Sequence, residues 1–155
     1  ATTLVSNVFW GIVGEKLGWI KVVRWFGCIG MALSTLCFYY LPQYYNTIAA
    51  PGMEGASTAE FMMAWIPAIL LGWFVAAFVP MTAIFTTLEP NHQGAAISVY
   101  NLSAGLSNFL APAIATILLP HFSFIGVVYA YAALYIFAFV ITYFIKVKQP
   151  GFETA

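Results

Sequence analysis

Seven positions on one stretch of the chain, Gly94, Ser98, Asn101, Gly105, Asn108, Pro112 and Ala115, recur at alternating steps of four and three. On an α-helix that spacing places all seven on one face. Val99, Leu102, Leu106, Phe109, Leu110 and Ile117 point in other directions. The carboxamides, Ser98 and neighbouring Tyr100 offer donors and acceptors without charge, so their chemistry is hydrogen bonding to something neutral. Close packing through small residues accounts for Gly94, Gly105 and Ala115. It accounts less well for Asn101 and Asn108, because a carboxamide needs partners wherever it packs. For these two asparagines a cavity-facing position is the better reading.

Other chemistry has little to be built from. The chain contains no Asp, and its five acidic residues are all Glu. Glu15, Lys16, Lys21 and Arg24 form one island of charge, Glu54 and Glu60 a second, and Glu89 stands beside His92. Lys146, Lys148 and Glu153 close the chain. The long stretches between these islands hold no Glu, Lys, Arg or His, so they carry no nucleophile–base pair, paired carboxylates or metal cluster. His92 and His121 fall at opposite ends of one stretch and cannot share a ligand. Cys28 and Cys37, nine residues apart, face nearly opposite ways on a helix and lie roughly 13 Å apart along it. A disulfide between them is excluded on distance. No Gly-rich phosphate motif occurs, and a net charge of zero gives no footing for nucleic acid. Neither an enzyme nor a bound cofactor or metal is expected.

The elements that must position the asparagines are membrane spans. Apolar residues make up 63% of the 155 and charged residues 6%, too few charges to clothe a water-facing surface. The uncharged stretches 25–41, 61–88, 93–120 and 122–145 approach or exceed the roughly 20 residues a membrane helix needs. The fold class is therefore all-α and polytopic. Expected boundaries are a partial span over 1–13, a cytoplasmic loop over 14–21, and full spans over 22–41, 61–88, 94–119 and 122–145. An extracytoplasmic loop covers 42–60, with a surface turn at Pro51-Gly52-Met53-Glu54-Gly55. A cytoplasmic loop covers 89–93, and a cytoplasmic tail 146–155. The opening segment is read as the end of a span whose beginning is missing. With this threading all five basic residues lie inside, as the positive-inside rule requires.

Each span carries its own signals. Pro112 removes a backbone hydrogen bond and should bend its helix, and Pro67 and Pro80 flank the 61–88 span in a similar manner. Trp65 reads as an interfacial anchor, while Trp73 could face lipid or line a cavity. Gly30 and Ser34 form a small-xxx-small pair for close helix contact. The 122–145 span is apolar nearly all round, with Tyr129, Tyr131, Tyr135 and Tyr143 as polar tips, and looks peripheral.

The first loop reads Gly11-Ile-Val-Gly14-Glu15-Lys16-Leu-Gly18-Trp-Ile-Lys21, with Arg24 three residues on. It resembles the signature loop of the major facilitator superfamily, Gly-x-x-x-acid-base-x-Gly followed by basic residues. Glu15 replaces the commoner Asp, and the trailing basic residues are displaced to Lys21 and Arg24. Physically, glycines allow a tight turn, Glu15 can cap a helix N-terminus, and Lys16 and Lys21 offer ion-pair partners. By resemblance, Gly11, Glu15, Lys16, Gly18, Lys21 and Arg24 form a cytoplasmic gate whose contacts hold in one state and break in the other. A loop that only fixes orientation is the alternative.

The segments Gly14–Trp19 with Val22–Cys28, Glu89–His92 running into Gly94–Gly105, and the ending Gln149-Pro150-Gly151-Phe152 are similar to bacterial polyol permeases, carriers of ribitol and D-arabinitol. That resemblance implies helix 8 (partial) through helix 12 of a major-facilitator carrier in the inner membrane. Its partners would be the lipid bilayer, the N-terminal half of the same carrier and a small polyol, which Asn101, Asn108, Ser98, Tyr100 and Trp73 would contact. The family usually couples uptake to a proton gradient, as a symporter; the proton carrier is then expected on other helices. A carrier for an organic acid and a non-transporting membrane scaffold are the alternatives.

Overall fold

The computed structural model describes residues 2–48 and 57–149. The Pro51–Gly55 turn, Glu54, Glu153 and the ending beyond Gln149 lie outside the described residues, and of the Glu60 side chain nothing is said. Among the described residues the secondary structure is entirely helical. Helix α1 (Thr2–Leu17) stops at Gly18, whose φ of 99° is natural only to glycine. Next come α2 (Trp19–Val22), a π-helical segment (Val23–Ile29) and α3 (Gly30–Ile48), which continue one another as a single rod. Helix α4 (Ser57–Val75) passes through a 3₁₀ turn (Ala76–Phe78) into α5 (Met81–Leu88), and α6 (Gln93–Ile141) completes the order.

Among the described residues, three stretches are long and apolar enough to cross a membrane: Trp19–Tyr44, Trp65–Leu88 and Gln93–Ile141. The last has 49 residues and would reach about 74 Å if straight, more than twice a hydrocarbon core. It is not straight. Ser123 has φ 57° and ψ −174°, outside the helical region, and beyond it the chain turns back. The Tyr131 hydroxyl donates to the carbonyl of Ala111 at 2.6 Å, although 20 residues of straight helix would hold those groups about 30 Å apart. The corner is tight: a Cβ on Gly126 would sit 2.2 Å from Cβ of Phe122. Helix α6 is thus two antiparallel legs that meet at Ser123.

Pro112 was expected to bend its helix, yet helical backbone continues through it and the one non-helical residue of α6 is Ser123. Pro67 likewise lies inside α4 rather than at its edge. The interruption of the Trp65–Leu88 stretch sits at Ala76–Phe78, just before Pro80.

Small residues let the helices approach. Phe74 and Phe78, one turn apart, lie over Gly30 and Gly27, where an added Cβ would meet ring carbons at 2.4 and 3.1 Å. Pro80 fills the space beside Gly14, at 3.0 Å from such a Cβ. Ser34 is buried and donates to the Gly30 carbonyl at 2.8 Å, so the Gly30–Ser34 pair does form a contact face. Trp10, Val22, Ala76 and Ala77 make the buried centre. Toward the other end of the bundle, the Tyr40 and Tyr129 hydroxyls hydrogen-bond and Tyr39 packs near Phe124, tying α3 to the second leg of α6. That leg buries Val127, Val128 and Ala132 and exposes Leu134, Ile136, Phe137 and Val140, a lipid-type surface.

Gly30→Ala in the full-length protein is expected to cost about 1–3 kcal/mol by overpacking against Phe74. The check is the melting temperature of purified protein, which should fall for Gly30→Ala and recover in part when Phe74→Leu is added.

Candidate functional site

The asparagine face lies on the first leg of α6. Asn101 and Asn108 are exposed, and neither makes a hydrogen bond to another described residue. Ser98, on the same face, turns its hydroxyl back onto the Gly94 carbonyl at 2.9 Å. Tyr100 departs from the group: it is half-buried, and its ring sits 5.6 Å from that of Phe85 on α5. Trp73 is placed elsewhere again, half-buried against α1, with its ring 5.1 Å from Phe9 and 6.2 Å from Trp10. So the structure brings Ser98, Asn101 and Asn108 onto one face and sets Tyr100 and Trp73 against other helices. Residues 101–112 are exposed all round, so exposure alone does not single out the polar face. What distinguishes it is need: two carboxamides at membrane depth must be satisfied by water, a ligand or another segment.

The expected gate is arranged differently from the sequence reading. Residues 14–21 do not form a loop; α1 runs through Leu17 and α2 begins at Trp19, leaving Gly18 as the hinge. Glu15 and Lys16 therefore sit on the last turn of α1, exposed, and Lys21 is exposed on α2. None of the three makes an ion pair among the described residues, where Glu89 with His92 at 3.1 Å is the ion pair present. Nor does Glu15 cap a helix. It lies at a helix C-terminus, the end that repels a carboxylate. Gly11 has open space where a Cβ would go.

Neutral contacts from the far end of the chain hold this hinge. The Gln149 carboxamide accepts from the Trp19 N–H at 2.7 Å and donates to the Gly14 carbonyl at 3.3 Å. It thereby caps the free N–H at the start of α2 and adds a second donor to the Gly14 carbonyl, which already accepts from the Gly18 N–H at 3.1 Å. Arg24 donates through Nε to the Thr142 hydroxyl and through Nη2 to the Thr142 carbonyl, both at 2.9 Å. Its guanidinium lies 3.9 Å over the Tyr143 ring. Gln149, Thr142 and Trp10 were not singled out by sequence. Trp10 alone left a signal, since a Trp buried among apolar residues needs an acceptor for its N–H; it has one in the Trp73 carbonyl at 2.8 Å.

Among the described residues no group of three His, Cys, Asp or Glu side chains could hold a metal. Cys28 is buried and Cys37 half-buried, both as free thiols.

Charge-poor helices of spanning length, packed through glycines and folded back at Ser123, define a multi-pass α-helical membrane protein. More specifically, the chain belongs to the Major Facilitator Superfamily, whose family model matches residues 1–154. It is 68% identical to a ribitol transporter of Klebsiella pneumoniae and 66% identical to a D-arabinitol transporter of the same organism, over 99% and 98% of the chain. An alpha-ketoglutarate permease of Bacillus subtilis is 36% identical over 96% of the chain. The chain spans about a third of the length of these relatives, 33%, 33% and 31% respectively. No solved structure matches.

Because the hinge is held by neutral hydrogen bonds, its stability should depend little on salt. Gln149→Ala is expected to destabilise by about 1–2 kcal/mol, while Lys16→Ala stays within about 0.5 kcal/mol. Melting curves should show the same difference at low and high salt, because only exposed ion pairs are screened strongly.

Proposed function

We propose that this stretch is the C-terminal part of a carrier that moves a small neutral polyol, ribitol-like, across the bacterial inner membrane by alternating access. The observation that carries the reading is the pair of free carboxamides, Asn101 and Asn108, on a leg without a charged side chain, in a chain 68% identical to a ribitol transporter. A polyol is neutral and rich in hydroxyls, so its site needs donors and acceptors rather than fixed charge. Asn101, Asn108 and Ser98 supply these from one face, with Tyr100 beside them on the same leg and Trp73 bordering the pathway from α4. The N-terminal half of the carrier completes the cavity.

The threading follows the charges. Arg24 meets Thr142, and Trp19 meets Gln149, so the Gly18 hinge and the tail share one end of the bundle. That end holds all five basic residues, which favours the cytoplasmic side. Alternating access requires the contacts at this end to hold in one state and yield in another. Gly11, Glu15, Lys16, Gly18, Lys21 and Arg24 are then the gate, with Gln149 and Thr142 as its neutral ties. Proton coupling, if the carrier is a symporter, uses a group outside these helices.

The likeness to an alpha-ketoglutarate permease favours a second reading, an organic-acid carrier. A dicarboxylate wants Arg or Lys in its cavity, and the legs described here offer none beyond the gate. Excess unlabelled ribitol should suppress uptake of labelled ribitol, while a dicarboxylate should leave it unchanged; the reverse pattern would sink the polyol reading. Asn101→Ala and Asn108→Ala are each expected to lower ribitol uptake about tenfold or more at unchanged surface expression. Normal uptake in both would remove these residues from the pathway.

A further inference from the structure

Backbone hydrogen bonding between Trp73 and Met81 follows from one residue. Pro80 has no N–H, so the Ala76 carbonyl cannot receive the usual donor four residues on. It takes the N–H of Val79 instead, at 3.0 Å, and Ala76–Phe78 tighten into a 3₁₀ turn. A 3₁₀ turn pairs each N–H with the third carbonyl back, which directs the Ala77 N–H away from the Trp73 carbonyl. At this depth, midway along the Trp65–Leu88 stretch, water does not serve the orphaned oxygen. Trp10 serves it from α1, through Nε1 at 2.8 Å.

The donor is rigidly held. Trp10 is 3% exposed, with its ring 5.2 Å from Phe9 and 4.7 Å from Phe26. The residue whose carbonyl it binds carries the ring that lies against Phe9. Backbone bend and side-chain aim at Trp73 are therefore set by the same contact.

We infer that Trp10 is a positioning residue: its indole N–H keeps α4 in its tightened form at Ala76–Phe78 and thereby fixes the Trp73 ring for contact with the transported molecule. The inference rests on the reading that Trp73 borders the pathway. Without that N–H, the nearest backbone donor for the Trp73 carbonyl is Ala77, which requires the turn to relax toward α-helix and re-aims Trp73.

The test uses the full-length carrier in liposomes, carrying Trp10→Phe, Pro80→Ala or both. Phe keeps an aromatic ring in the pocket and removes the donor. Trp10→Phe is expected to lower kcat/KM for ribitol about fivefold, chiefly through KM. In the Pro80→Ala background, where the backbone can serve Trp73 itself, adding Trp10→Phe should change it less than about twofold. An unaltered KM in Trp10→Phe, or an equal effect in both backgrounds, overturns the inference and leaves the carrier reading standing. Hydrogen exchange over 74–81 reads the same contact without substrate. It should rise in Trp10→Phe and not in the double variant; no rise overturns the inference. Absence of polyol uptake by the unsubstituted carrier sinks the substrate reading instead, with hydrogen exchange still deciding whether Trp10 holds the turn.

Discussion

Inside a bilayer a backbone N–H or C=O has no water to turn to, and each break in a helix must find its partner within the protein. That constraint orders most of what this chain does. It breaks its helices at Gly18, at Ala76–Phe78 and at Ser123. At Gly18 the Trp19 N–H meets the Gln149 carboxamide, and in mid-span the Trp73 carbonyl meets Trp10. Ser123 falls at a hairpin corner between two legs, each long enough to cross, where headgroup water is within reach. The breaks thus sort by depth, and the deepest one has the most buried donor.

Close packing follows from the same environment. Hydrocarbon offers helices no hydrophobic reward for associating, so contact must come from shape. Gly30, Gly27 and Gly14 receive Phe74, Phe78 and Pro80 in order, and this seam binds the tightened turn to the Gly18 hinge. The hinge at one end and the tightened turn in mid-span are therefore parts of one packed unit. The first leg of α6, exposed from Asn101 to Pro112, packs least and presents the unpartnered amides. A carrier needs both kinds of surface: a fixed frame and an unsatisfied face for cargo.

The spans were read from charge confined to their ends, and the last two were separated at His121, between two uncharged stretches. The shared face of Ser98, Asn101 and Asn108 was legible because helical periodicity survives in lipid. Which rings Tyr100 and Trp73 would pack against, Phe85 and Phe9 respectively, was not legible. Side-chain direction relative to other helices is not written in spacing along one of them. The helical course of residues 14–17, and the role of Gln149 in the tail, also escaped. The role of Gln149 depends on contacts across 130 or more residues, which no local pattern encodes. Pro112 and Pro80 both remove an N–H, yet helical backbone continues through Pro112 while a 3₁₀ turn precedes Pro80.

Threading places Lys16 and Lys146 on one side of the membrane and the Ser123 corner on the other. A cysteine-free version of the full-length carrier, bearing Lys16→Cys, Lys146→Cys or Ser123→Cys, should be treated in intact cells with a membrane-impermeant maleimide. Ser123→Cys is expected to label directly, and the other two only after the membrane is permeabilised. Labelling of Lys16→Cys or Lys146→Cys in intact cells, or the same behaviour at all three positions, would contradict the fold-back of α6 and the sidedness built upon it.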